Sequence, residues 1–230
     1  AKGGTVPHVL LMTATPIPRT LGQVLYADLE VTDLRTQPEG RVAIRTGIRR
    51  FAELEGTWDR VRDEAQRGNR IFVVVPLISP AGDDADAVGG PSLDLFGPSD
   101  EALVESTAVA AEAEAVRLGE LLAPLRVGLV HGRLKAAERD AEVARFRDGE
   151  LDVLVGTTVV EVGVDVPEAT MMIIEGADRF GLAQLHQLRG RVGRGTQESF
   201  CVLVSDTADE TARARLAAIR DERDGFILAE

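Results

Sequence analysis

Lysine is almost missing from this chain. Of 26 basic residues only Lys2 and Lys135 are lysines. A loop of the form G-x-x-x-x-G-K-S/T, which wraps a triphosphate and reaches its β- and γ-phosphates, needs a lysine directly after glycine. Lys2 follows Ala1 and Lys135 follows Leu134, so neither qualifies, and the chain is not expected to hold a triphosphate by itself. Cysteine is nearly as scarce. Cys201 has no second cysteine for an internal disulfide or a structural zinc site, and its setting, Phe200-Cys-Val-Leu-Val204, reads as a buried strand. No apolar run approaches the roughly 20 residues needed to span a bilayer. The opening Ala-Lys-Gly-Gly-Thr-Val-Pro lacks a signal-peptide pattern, so a soluble cytoplasmic protein is expected.

What the chain does have is enough apolar material, 44% of 230 residues, for one α/β core or one core with a fragment of a second. Its net charge of −12 is uneven. Nine acidic residues and no basic one lie between Pro80 and Val116, which leaves about −3 for the rest. Overall acidity therefore does not exclude a phosphate backbone as ligand; it places an acidic segment away from that contact.

Short apolar runs alternate with helical patterns. Strands are expected at Val42–Ile48, Ile71–Ile78, Val127–His131, Val153–Val155, Met171–Ile174 and Phe200–Val204. The expected helices are Glu53–Arg67, Glu105–Leu122, Ala136–Phe146, Leu182–Leu188 and Thr211–Glu222. Gly68 should cap the first of them. A further strand, His8–Met12, is followed by a turn and a helix opened by Pro18. Residues 79–104, rich in Pro, Gly, Asp and Ser, read as a flexible insertion. The fold expected is α/β: a mostly parallel sheet covered by helices on both faces. Its polar Gly, Thr and Arg loops are expected at the carboxyl ends of the strands, where such sheets bind ligands.

Three loops carry candidate chemistry. In Gln187-Leu-Arg-Gly-Arg-Val-Gly-Arg194, Arg191 and Arg194 are three apart and would project together if the helix continues. Gly190 and Gly193 keep side chains away from a ligand. Two adjacent guanidiniums match the charge of a transferring γ-phosphoryl group; an isolated R-x-x-R is more often a solvated turn. In the second loop, Thr157 and Thr158 follow a strand and offer hydroxyls and backbone N–H groups to a phosphate. Gly163 permits an unusual backbone angle, and Asp165 is an acceptor for a ribose hydroxyl or an arginine; Asp165-Val-Pro167 could equally be a plain turn. The third loop, His131-Gly132-Arg133, closes a strand and makes a phosphate contact plausible, although a lone histidine is more often structural. His186, with no nucleophile or metal partner nearby in sequence, reads as helix packing.

Together these loops resemble the C-terminal motif series of superfamily 2 helicases: Thr13-Ala14-Thr15, His131-Gly132, Thr157-Thr158 with Gly163-Val-Asp165, and Gln187 with Gly190-Arg191-Val-Gly193-Arg194. The longer forms Thr13-Ala-Thr-Pro-Ile-Pro-Arg-Thr20 and Gln184-Leu-His-Gln-Leu-Arg-Gly-Arg-Val-Gly-Arg194 are similar to those of two families, the RecG branched-DNA helicases and the transcription–repair coupling translocases. Tyr26-Ala-Asp-Leu29, Pro38-Glu-Gly-Arg41, Val75-Pro-Leu-Ile78, His186 and Asp224-Gly-Phe-Ile-Leu-Ala-Glu230 favour RecG. That resemblance implies a RecA-like lobe of an ATP-dependent DNA translocase that regresses replication forks and migrates junctions in recombination and repair. It implies ATP with Mg2+ held by a first lobe, DNA as partner, and action as a nucleoid-associated monomer.

The resemblance also assigns roles. Gln187, Arg191 and Arg194 would be catalytic; Gly163, Asp165 and Gly190 would join both arginines around ATP. His131, Gly132, Arg133, Thr157 and Thr158 would touch DNA. Thr13, Ala14, Thr15, Arg19, Arg215 and Arg220 would couple ATP state to movement. The implied division is the end of a first lobe over 1–36, a second lobe over 37–210, and the start of a helical hairpin over 211–230. The phosphate-loop lobe and a wedge domain are missing, so the chain reads as a piece of a larger protein with little ATPase activity alone. The insertion also holds Ser92-Leu-Asp-Leu-Phe96, which resembles the Q-L-S/D-L-F peptide that docks on sliding clamps, through Leu93, Leu95 and Phe96. Short motifs of this kind arise readily by chance.

Overall fold

The computed structural model describes residues 42–76, 101–157 and 166–222. Among them are six strands: β1 (Arg45–Arg49), β2 (Arg70–Val74), β3 (Val127–Val130), β4 (Val153–Gly156), β5 (Ala169–Ile174) and β6 (Phe200–Val204). They form one sheet in the order β1-β6-β5-β2-β4-β3, and every neighbouring pair is parallel. Five α-helices cover it: α1 (Glu55–Gln66), α2 (Glu101–Leu121), α3 (Ala136–Arg147), α4 (Leu182–Arg189) and α5 (Glu210–Asp221). The doubly covered parallel sheet expected from the sequence is therefore present.

Why the central strands read as unbroken apolar runs is plain from their burial. Successive strand side chains point to opposite faces, and here both faces are covered. Ile71, Val73, Val153, Val155, Met171 and Ile173 pack with Trp58 and Val61 of α1 and Leu118 of α2. Their neighbours Phe72, Val74, Leu154, Met172 and Ile174 pack with Phe146 of α3, Leu185 and Leu188 of α4, and Leu216 and Ile219 of α5. Phe72 and Phe146 meet at a ring-centroid distance of 4.8 Å. Cys201 is fully buried in this layer; burial pushes its thiol up to about 12, so it is inert, as its setting suggested.

Element limits differ little from those expected. Helix α1 ends at Gly68 in the left-handed conformation (φ +83°). Helix α2 starts at Glu101, inside the stretch expected to be loop, because Glu101-Ala-Leu-Val104 are mostly good helix formers. Short 3-10 turns at Phe51–Glu53 and Ala177–Arg179 were not foreseen; three residues are too few to leave a periodic pattern. The expected strand at 8–12, the motif residues Thr13, Ala14, Thr15 and Arg19, and the clamp-like Leu93, Leu95 and Phe96 lie outside the described residues. So do Thr158, Gly163 and Asp165.

Helix α5 belongs to the packed body. Beyond its buried Leu216 and Ile219, it is tied at its carboxyl end by Arg189, the last residue of α4. The buried Arg189 Nη1 donates to the carbonyls of Ile219 (2.5 Å) and Glu222 (2.8 Å). Those carbonyls belong to the helix end that has no intrahelical donors and a partial negative charge. Arg189→Ala would orphan buried acceptors and is expected to lower the unfolding free energy of the chain by about 3 kcal/mol. Urea titration measures this, and a loss within about 0.5 kcal/mol would show that the tie carries no stability.

Candidate functional site

An all-parallel sheet sends its loops to two ends. The loops carrying candidate chemistry divide between them. At the carboxyl end, β3 and β4 lie side by side and deliver His131 and Thr157 next to each other, with Thr157 N donating to Val130 O (3.4 Å). Both are buried. His131 Nδ1 accepts from the backbone N–H of Arg133 (3.3 Å), and its Nε2 faces Glu112 of α2 at 3.4 Å. Burial holds its pKa below the usual histidine value; Glu112 opposes this and Arg133 adds to it. A neutral ring with both nitrogens engaged shapes the turn, and the exposed Gly132 and Arg133 form its outer surface.

The arginine loop lies at the other end, which corrects the expectation that all polar loops gather at the carboxyl ends. Helix α4 runs back from the carboxyl end, and the loop after it packs where strands begin. Gly193 sits against Ile44 and Ser199, which precede β1 and β6, and Gly195 lies beside the Pro167 carbonyl ahead of β5. The helix stops at Arg189, so the continuation that would put Arg191 and Arg194 on one helical face is not present. Arg191 N and Val192 N instead donate to Leu188 O and Arg189 O, tightening the chain into a turn. Val192 is fully buried and pins the turn between the two arginines. Gly193 has φ +72°, and a Cβ there would fall 2.9 Å from Ile44 Cγ1; only glycine meets both demands. Arg191 is half-buried and Arg194 exposed, while Gln187 and Gly190 are half-buried beside them.

Of the coupling candidates on α5, one bonds to another element and one to its own helix neighbour. Arg215 donates to Asp178 O (2.5 Å) in the 3-10 turn after β5, and Arg220 is paired through two bonds with Asp221 (2.7 Å each). Among the described residues no group of three His, Cys, Asp or Glu is placed to hold a metal ion, and no helix is long and apolar enough to cross a membrane.

Two residues at these ends were missed in the sequence. Arg189 is four residues after the buried Leu185 and one after the buried Leu188; the helical spacing places it on the apolar face, and that was the available signal. Glu175 directly continues the buried run of β5. It is 7% exposed and 3.6 Å from Arg117, which is itself paired with Glu114. Burial first, and then the Glu114 carboxylate, push Glu175 up to about 8 against the pull of Arg117.

Comparisons with known proteins agree with the fold. Residues 96–196 match the helicase conserved C-terminal domain family. The ATP-dependent DNA helicase RecG of Mycobacterium tuberculosis is 46% identical over 235 residues, covering 100% of this chain and 30% of that protein. RecG of Escherichia coli is 44% identical over 229 residues, covering 99% of this chain and 30% of its own length. Among solved structures, RecG bound to a three-way DNA junction superposes with a TM-score of 0.73 at 39% identity, over 94% of this chain and 25% of that one. The yeast protein Dbp5 bound to RNA and ADP BeF3 shares the fold, with a TM-score of 0.54 at 15% identity, over 90% of this chain and 46% of that one. The chain thus spans about 30% of the length of the curated relatives it matches.

Glu175 gives a pH test. Its folded pKa lies above the ordinary 4.5, so the folded state keeps a proton that the unfolded chain loses. Its contribution is complete below pH 4.5 and declines as pH rises toward about 8. Unfolding free energies measured across that range should show this decline in the parent and a shallower one in Glu175→Gln; identical slopes would remove Glu175 as the source. By sequence along its whole length and by its fold, the chain corresponds to the C-terminal RecA-like lobe of the RecG-type, superfamily 2 helicases.

Proposed function

We propose that this lobe is half of an ATP-driven DNA motor that acts on forks and branched junctions, regressing stalled forks and migrating junctions in recombination and repair. The observation that carries the reading is the separation of its loops, with the arginine turn at one end of the sheet and the exposed Gly132–Arg133 turn, braced by the buried His131 and Thr157, at the other. Strands of five or so residues set these ends roughly 15–20 Å apart, so one rigid body can meet nucleotide and nucleic acid at once.

In this reading Arg191 and Arg194 enter an ATP site whose phosphate-binding half and Mg2+ belong to another lobe. Their guanidiniums stabilise charge on the γ-phosphoryl group as it leaves, and Gln187 orients the attacking water. Gly163, Asp165 and Gly190 lie against the nucleotide. Thr157, Thr158 and the Gly132–Arg133 turn hold DNA by its phosphates, without reading sequence; His131 fixes that turn. Closure on ATP and release after hydrolysis would step the DNA, with Thr13, Ala14, Thr15, Arg19, Arg215 and Arg220 passing the change between parts. The chain by itself would turn over little ATP. The whole protein would act as a monomer in the bacterial cytoplasm, at the nucleoid.

The test is ATP hydrolysis by the full-length protein on fork, plain duplex and single-stranded DNA. Forks should stimulate most at equal nucleotide concentration. Equal stimulation by plain duplex would contradict the branched-DNA reading and point to the coupling translocases.

A further inference from the structure

Four arginines meet at the carboxyl end of the sheet, on the side away from β3 and β4. Arg49 ends β1 and Arg50 follows it, and Arg213 and Arg220 lie on α5; with Ser205 and Thr207 they line an open groove of about 340 Å³. All four arginines are exposed. The one carboxylate in the lining is Glu53, and it accepts from the backbone N–H of Arg50 (3.3 Å). Arg220 carries Asp221 with it, so Arg49, Arg50 and Arg213 supply most of the positive charge. In a chain of net charge −12, such a concentration is not a sample of the average surface.

We propose that this groove is a second phosphate track, which takes the sugar–phosphate backbone of DNA at a distance from the exposed Gly132–Arg133 turn. The proposal rests on the DNA-motor reading above and extends it to a surface apart from the described parts of the motif loops.

Three features favour a polymer backbone over a single small anion. The groove is open, so it passes a chain rather than enclosing a molecule. Arg213 and Arg220 are seven residues apart on one helix, about 10.5 Å, or roughly three backbone rises of one DNA strand. Arginines with serine and threonine hydroxyls are the usual donors to phosphate without sequence reading. The groove also shares an edge with the first DNA surface. Strands β1 and β3 are the two outer strands, five spacings apart at about 4.8 Å each, or roughly 24 Å. One DNA strand lying along this edge would cover that width in about seven rises. At the middle of the edge stands Glu175, which burial pushes up to about 8, so at neutral pH it does not add a full negative charge beneath the backbone.

The experiment is DNA binding by the full-length protein, read by fluorescence anisotropy with a labelled fork over about 50–200 mM salt. Replacing Arg50 and Arg213 together by alanine should flatten the plot of log Kd against log salt by about 1.8, from two lost phosphate contacts at ~0.9 each. The double change to lysine should keep most of the parent slope, because the charge remains. Arg147→Ala, at the far end of α3, should leave the slope unchanged. Since both groove arginines are exposed, the variants should unfold at the parent temperature, which the same samples can show. A parent-like slope in the folded alanine double variant would overturn the groove. Failure of the parent itself to bind DNA would overturn the motor reading, and the groove with it.

Discussion

Strands β2, β4 and β5 are buried on both faces, and most of the layout follows from that constraint. A strand with no exposed face has nowhere along its length to display a polar group. Polar chemistry is therefore confined to the loops, and parallel pairing sorts the loops into two sets, one at each end of the sheet. The helices that cover the faces also carry the chain back between ends. Helix α4 does so between β5 and β6, which is why the arginine turn emerges opposite to Thr157 and His131.

The arginine turn shows how one short motif divides its labour. Arg189 faces inward and satisfies the carbonyl end of α5. Val192 is buried, and Gly193 takes a backbone angle and a closeness to Ile44 that no side chain would tolerate. With those positions fixed, the backbone from which Arg191 and Arg194 project is held by the fold. In the proposed reading, side chains that start from a fixed backbone have less freedom to lose on meeting a phosphate than those on a mobile loop. The same Arg189 bonds join the turn to α5, whose Arg215 reaches the 3-10 turn after β5. A shift in the arginine turn therefore has a packed route to the carboxyl end.

Much of this was legible in the sequence because strongly periodic segments leave little choice. Phe72-Val-Val74 and Met171-Met-Ile-Ile174 read as buried strands, and Gly68 marked a helix end where φ is indeed positive. The arginine pair was legible as residues but not in its geometry. The helix is within one residue of its expected end but does not continue through the arginines, and their loop lies at the opposite end from the one expected, since spacing alone does not say which way a helix returns. Arg189, Glu175 and the Arg49–Arg50–Arg213 groove were not foreseen. Each depends on what another element places against it: α5, α2, or the neighbouring strand ends. Contacts of that kind leave only a faint local pattern.

In the proposed division of labour the arginine turn serves nucleotide chemistry while a separate end of the sheet serves DNA. Arg194→Ala in the full-length protein tests it most directly, with DNA-stimulated ATP turnover and fork affinity measured on the same preparation. Turnover should fall by about a thousandfold or more while fork affinity stays within about twofold, a difference below ~0.5 kcal/mol. Retained turnover, or a loss of DNA affinity alongside the loss of turnover, would contradict it.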